Sequence, residues 1–112
     1  MASSSLERLA KNESFFRQVN ERIKDVADGL EGGQTYEFLC ECSNASCTER
    51  IELEGEEYEW VRSSPTRFVL ARGHAAPEIE QVVEREQGHL IVEKQGLAAR
   101  IAAKLDPRTA QT

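Results

Sequence analysis

A chain of 112 residues, 39% hydrophobic and 30% charged, carries 14 Lys and Arg against 20 Asp and Glu, for a net charge of −6. That size and balance describe one folded domain with a modest core. They exclude a disordered chain and disfavour nucleic acid, which rewards clustered Lys and Arg. No apolar run is long enough to span a bilayer, and the start, Met1-Ala2-Ser3-Ser4-Ser5, lacks the apolar core of a secretory signal.

The first element is a helix over about Ser5 to Leu30. Leu9, Phe16, Ile23 and Leu30 recur every seven residues, with Val19 and Val26 three after Phe16 and Ile23 and Asn12 filling the matching place before Phe16. This is an a/d seam. It either covers the domain's own sheet or meets a protein partner or second copy through Leu9, Asn12, Phe16, Val19, Ile23 and Val26, with Asn12 fixing register. Ser3, Ser4 or Ser5 is expected to cap the start, and Asp28-Gly29 with Gly32-Gly33 to end it. Glu13, Arg17 and Glu21, spaced four apart, read as a charge ladder on another face.

Beyond the glycines, Thr35 to Cys42 alternates, which predicts a strand with Tyr36, Phe38, Cys40 and Cys42 on one side. Ser43-Asn44-Ala45-Ser46 is turn chemistry. Arg50 to Glu54 reads as a second strand. Glu54 to Ser64 reads as a short helix with Tyr58, Val61 and Trp60 inward, stopped at Ser64-Pro65. Thr66 to Arg72 is the clearest strand, followed by a loop through Gly73-His74 and Ala76-Pro77. Residues 79–86 and 89–94 flank Gln87-Gly88 as a hairpin, although Ile79, Val82, Val83 and Glu86 also satisfy helical spacing. Gly96 opens a last helix with Leu97, Ile101 and Leu105 on one stripe, closed by Asp106-Pro107, and the tail beyond Arg108 is expected to be loose.

The order is α+β: a long N-terminal helix over residues 1–33, a mainly antiparallel core with a cysteine loop and a hairpin over 34–95, and a C-terminal helix and tail over 96–112, all in one domain.

Every cysteine lies between positions 40 and 47. An odd number of thiols without a signal argues against a disulfide framework and for a reducing cytoplasm. Cys40, Cys42 and Cys47 with His74 are four soft ligands, the number a closed tetrahedral zinc site uses. His74 sits beside Gly73 in a loop at a strand end, whereas His89 begins a hairpin arm and suits the surface. Other uses compete for the same thiols. A [2Fe–2S] cluster also takes Cys and His; C-x-C resembles the opening of the outer-membrane CDGSH iron–sulfur proteins, whose remaining ligands lie closer together. A redox sensor would need a lowered thiol pKa, which acidic Glu41 and Glu49 oppose. Inert buried cysteines are the plainest alternative. Catalysis, by a Cys–His pair or a zinc-bound water with Glu41 or Glu49 as base, lacks an identifiable third group.

Charge is uneven along the chain. Residues 31–59 hold nine acids against Arg50 alone, and residues 60–77 hold Arg62, Arg67 and Arg72 with no acid. Glu54, Glu56, Glu57 and Glu59 read as a solvated face that favours a helix start. Arg62, Arg67 and Arg72 read first as solubilising residues; Arg67 and Arg72 fall on opposite faces of a strand, so one anion patch from all three is the lesser reading, with an acidic protein partner or a small anion as its ligand.

The segments Asn12-Glu13-x-x-Phe16-Arg17-x-Val19-Asn20-Glu21, Phe38-x-Cys40-Glu41-Cys42-x4-Cys47-x-Glu49, Glu57-Tyr58-Glu59-x-Val61-Arg62, Gly73-His74 and Val92-Glu93-Lys94 resemble a group of small uncharacterised bacterial proteins of actinobacterial type, across roughly residues 7–108. The resemblance implies a bacterial cytoplasmic protein and supports grouping the cysteines with His74. It implies no activity and no catalytic residue. The expectation is a metal-stapled module, with zinc as the metal, acting by protein contact as an adaptor or regulator, with a thiol- or metal-responsive sensor and a small metal-dependent enzyme as alternatives.

Overall fold

A computed structural model describes residues 2–30 and 32–108, with side chains described from Leu6 onward. The expected loose tail lies beyond them. The order is α1 (Ala2–Asp28), β1 (Thr35–Leu39), β2 (Arg50–Glu54), α2 (Gly55–Arg62), β3 (Arg67–Leu70), β4 (Glu80–Arg85), β5 (Leu90–Lys94) and α3 (Gly96–Lys104). This is the expected α+β arrangement, with its strands divided between two antiparallel sheets. One pairs β1 with β2, and the other runs β3-β5-β4.

In the smaller sheet Leu39 pairs with Arg50, and the Cys40 N–H continues the ladder to the Glu49 carbonyl at 3.2 Å. The cysteine loop is therefore the end of a hairpin. The second hairpin closes where the Glu86 N–H meets the His89 carbonyl at 2.9 Å, and a bulge between Val82 and Glu84 shifts its register. Residues 80–85 are a strand and not the helix their spacing also allows.

The two sheets share one core. Phe38, Ile51 and Leu53 from the first meet Phe68, Val69, Leu70, Leu90, Ile91 and Val92 from the second, with Tyr58 and Val61 of α2 between them. Phe38 stacks on Tyr58 with ring centroids 4.6 Å apart. Trp60, expected to point inward, is 45% exposed and lies against the Arg67 guanidinium, 4.3 Å from its ring centroid. Short α2 has room for one inner stripe, and Tyr58 and Val61 fill it. α2 starts at a reciprocal capping box between Glu54 and Glu57.

The long helix packs differently from its apolar pattern. Buried positions are Ala10, Arg17 and Lys24 in one seven-residue series and Glu13, Asn20 and Ala27 in the other, flanked by Ser14 and Phe16. That seam is one residue, or about 100° of rotation, from the expected one. Phe16 still turns into its own chain, and Ile23 packs on the edge of the core. Leu9, Asn12 and Val19 are half-buried, while Val26 and Leu30 are 62% and 52% exposed. Ser3, Ser4 and Ser5 fall inside the helical stretch, so they do not stand at an N-cap, and their side chains are outside the described residues.

The supposed surface ladder of Glu13, Arg17 and Glu21 faces the protein. Glu13 accepts from Lys94 Nζ at 2.5 Å, and Lys94 also pairs with Glu80. Arg17 donates to the carbonyls of Pro65 at 2.8 Å and Arg67 at 3.2 Å and lies 3.9 Å from the Phe68 ring centroid. Glu21 accepts from Arg62 at 2.6 Å and from Arg108 at 2.8 Å. Arg62 also pairs with Asp106, so the presumed solubilising arginine is 3% exposed. Rotating the charged stripe inward is tolerable only because each charge meets an opposite charge or a carbonyl.

α3 corrects a further expectation. Ala98 and Ala102 are its buried positions, whereas Leu97 is 47% exposed. Small side chains let α3 lie close to α1, where Ser14 Oγ donates to the Leu105 carbonyl at 2.8 Å.

Candidate metal centre

The loop between β1 and β2 folds back through a turn in which Asn44 Oδ1 accepts from the Ser46 N–H at 2.9 Å and the Asn44 carbonyl from the Cys47 N–H at 3.0 Å. This returns Cys47 toward the strand bearing Cys40 and Cys42. His74 arrives from the other sheet. After β3, Ala71 to His74 closes a turn with the His74 N–H on the Ala71 carbonyl at 3.1 Å. Gly73 occupies φ 85° there, a left-handed conformation that a side chain disfavours.

The three Sγ atoms and a nitrogen of His74 all lie within 4.8 Å of one another, close enough to hold a metal ion. His74 Nδ1 is 3.6 Å from both Cys40 Sγ and Cys47 Sγ. Zn–S and Zn–N bonds of about 2.3 and 2.0 Å give a tetrahedron whose S···N edge is roughly 3.5 Å. Cys40 and Cys42 are buried, while Cys47 is half-buried at the rim. The four residues the sequence singles out thus converge. His89 is not among them and lines a separate recess with Trp60, Glu84 and Glu86.

Backbone groups support the sulfurs. The Ala71 N–H donates to Cys40 Sγ at 3.2 Å. A hydrogen bond from Cys40, opposed by burial and assisted by His74 and a backbone bond at Asn44, holds the Cys42 thiol down to about 4. The same bond to Cys42, together with burial, pushes Cys40 up against the Ala71 amide. Burial pushes Cys47 up against the Glu49 amide. Binding a cation would draw off the thiol protons.

Glu41 has a role that the sequence reading missed. In an extended segment alternate side chains oppose one another, so Cys40 and Cys42 face the cluster while Glu41 enters the core at 0% exposure. Its Oε2 accepts from Tyr58 OH at 2.5 Å and Asn20 Nδ2 at 2.9 Å. Its Oε1 accepts from the Val69 N–H at 3.2 Å, and its own N–H donates to the Val69 carbonyl at 2.9 Å. Both backbone groups of Val69 are thereby satisfied on the edge of β3, and the carboxylate points away from the thiols. Glu41 therefore neither raises the thiol pKa as a close neighbour nor stands ready as a base. Its burial beside a helix bearing Asn and Arg has no local sequence signature except its place between two cysteines.

No protein-family model, curated protein or solved structure matches the chain. The site's chemistry is read from its own residues.

Proposed function

We propose that this chain is a zinc-stapled binding module, with Cys40, Cys42, Cys47 and His74 holding one ion and the folded surface acting as an adaptor or regulator. The observation that carries this reading is the four-donor group itself, whose spacing matches one tetrahedral ion. Three thiolates and an imidazole favour zinc over harder cations. Four protein donors fill the coordination shell, as in closed structural sites, and Glu41 is committed elsewhere. A two-iron cluster separates its ligand pairs by an Fe2S2 core, whereas a set confined within 4.8 Å suits a single ion. The ion would link the β1–β2 hairpin to the end of β3 and contribute to folding directly.

Contact with a protein fits the outer side of α1, where Phe15 and Val26 are 61% and 62% exposed and lie on one helical stripe with half-buried Val19. Self-association through that stripe is the homodimer form of the same reading. Free thiols suit a reducing cytoplasm. Elemental analysis and an optical spectrum of freshly purified protein test the metal: one zinc per chain without iron–sulfur absorption is expected, and three freely reactive thiols without metal would refute it. Sedimentation of wild type beside Phe15→Glu tests self-association. A dimer that dissociates in the variant supports it, and a monomer in both removes it.

Half-buried Cys47, whose sulfur stands at the rim within 4.8 Å of those of Cys40 and Cys42, favours the thiol- or metal-responsive sensor as the second reading. Its distinguishing result is rapid titration of the thiols by a disulfide reagent while the chain remains folded and loaded.

A further inference from the structure

α1 carries two asparagines on its inner side, a residue type that helix interiors disfavour. Asn20 grips the backbone of Leu39 as a neighbouring strand would: its Nδ2 donates to the Leu39 carbonyl at 2.9 Å, and its Oδ1 accepts from the Leu39 N–H at 2.7 Å. The same Nδ2 reaches Glu41 Oε2 at 2.9 Å. Two turns earlier, Asn12 Nδ2 donates to the Ser43 carbonyl at 2.8 Å. Leu39, Glu41 and Ser43 are the residues that alternate with Cys40 and Cys42. The cysteines present one side of this segment to the candidate metal position, and α1 holds the residues between and beside them from elsewhere in the fold.

We propose that Asn12 and Asn20 are positioning residues that clasp the metal loop, so that metal affinity and docking of the inner face of α1 are coupled. This inference rests on the metal reading above and goes beyond it by assigning control of the site to a distant element. With Leu39, Glu41 and Ser43 fixed, the two thiols are presented together, and little backbone order remains to be gained at binding. Coupling between binding events is reciprocal. A bound ion fixes the same segment and so strengthens the seat of α1, and a partner that lifts α1 weakens the site. Other anchors of α1, among them Arg17 on the carbonyls of Pro65 and Arg67, Glu13 on Lys94 and Glu21 on Arg62, lie outside the loop. Metal loss therefore acts on the helix first where Asn12 and Asn20 meet the loop.

The test is competition for Zn(II) between the full-length chain and a chromophoric chelator, with circular dichroism reporting fold. Loss of a partner that orients a metal ligand typically weakens affinity roughly 10- to 100-fold. Asn20→Ala is expected within that range and Asn12→Ala near its lower end. Ser14→Ala, which loses an α1–α3 bond remote from the loop, should leave affinity unchanged. A folded Asn20→Ala with wild-type affinity would overturn the clasp, as would an equal loss in Ser14→Ala. If Asn20→Ala does not fold, unchanged affinity in Asn12→Ala overturns it, and a loss there supports it. Wild-type protein that takes up no zinc refutes the metal reading itself, a failure visible before any variant is made.

Discussion

The cysteine loop and the inner face of α1 do the same mechanical task with opposite chemistry. Both join parts of the chain far apart in sequence. The loop gathers three thiols and one imidazole around a point. The helix face instead inserts Glu13, Arg17, Asn20, Glu21 and Lys24 among elements that answer each of them with a charge, a carbonyl or an amide, Lys24 through Glu59 of α2. A metal site concentrates its free energy in a few bonds, while the helix face spreads it over many. The first should fail all at once and the second piece by piece.

The largest effect is expected at the loop. A structural zinc contributes on the order of 10 kcal/mol near neutral pH, which is comparable to the whole stability of a domain of this size. Cys42→Ser, or treatment with excess chelator, should therefore abolish stoichiometric metal and the cooperative thermal transition measured by calorimetry. An undiminished transition would show that the loop is no staple.

The next effect belongs to Arg62, whose guanidinium joins Glu21 of α1 to Asp106. Arg62→Ala leaves the buried Asp106 carboxylate without its charged partner, while Glu21 keeps Arg108, a loss of about 3 kcal/mol, readable as a shift in denaturant midpoint with zinc still bound. A shift under about 1 kcal/mol, the range of surface pairs, would return this face to ordinary surface electrostatics.

Glu13 sharpens the comparison through pH. Burial raises its carboxyl pKa against the favourable charge of Lys94. Its contribution to stability is thus present below the ordinary carboxylate value and is lost as pH rises through the raised folded value. Glu13→Gln removes that dependence, so stability relative to wild type should improve as pH rises from about 4 toward neutrality, by about 1.4 kcal/mol per unit of pKa displacement. A difference between the two proteins that stays flat with pH would contradict the assignment.

The smallest effect lies at the rim. Arg108 bonds Glu59 at 2.9 Å and holds its carboxyl below the usual range, opposed by partial burial. Both groups retain solvent contact, which limits Glu59→Gln to about 0.5 kcal/mol. That small contribution is present above the ordinary carboxylate value and fades as pH falls through the lowered one.

These differences also explain what could be read in advance. Cysteine is scarce here, so three within eight positions stood out, and the strand alternation from Thr35 placed two of them on one side. His74 followed from a glycine-flanked turn after an apolar strand. The hairpin was legible from the turn residues between its arms. By contrast, Glu13, Arg17 and Glu21 at four-residue spacing form the commonest pattern of a solvated helix, and only their distant partners Lys94, Pro65 and Arg62 reveal that they are inside. Phe16 and Ile23 drew the expected seam to the larger apolar side chains, while Ala10 and Ala27 mark the side that approaches closely. The combination of Asn20 with those alanines at heptad spacing was the available clue. Glu41 was misread because adjacency in sequence was taken for adjacency in space, although a strand turns neighbouring side chains in opposite directions.

The most direct test of the staple is replacement of the metal by Co(II), followed by the visible and near-ultraviolet spectrum of wild type and His74→Ala. A tetrahedral site with three thiolates and one imidazole predicts intense ligand-field bands and thiolate-to-cobalt charge transfer at one equivalent, with the ligand-field envelope altered in the variant. Weak octahedral bands, or wild-type and His74→Ala spectra that coincide, would contradict it.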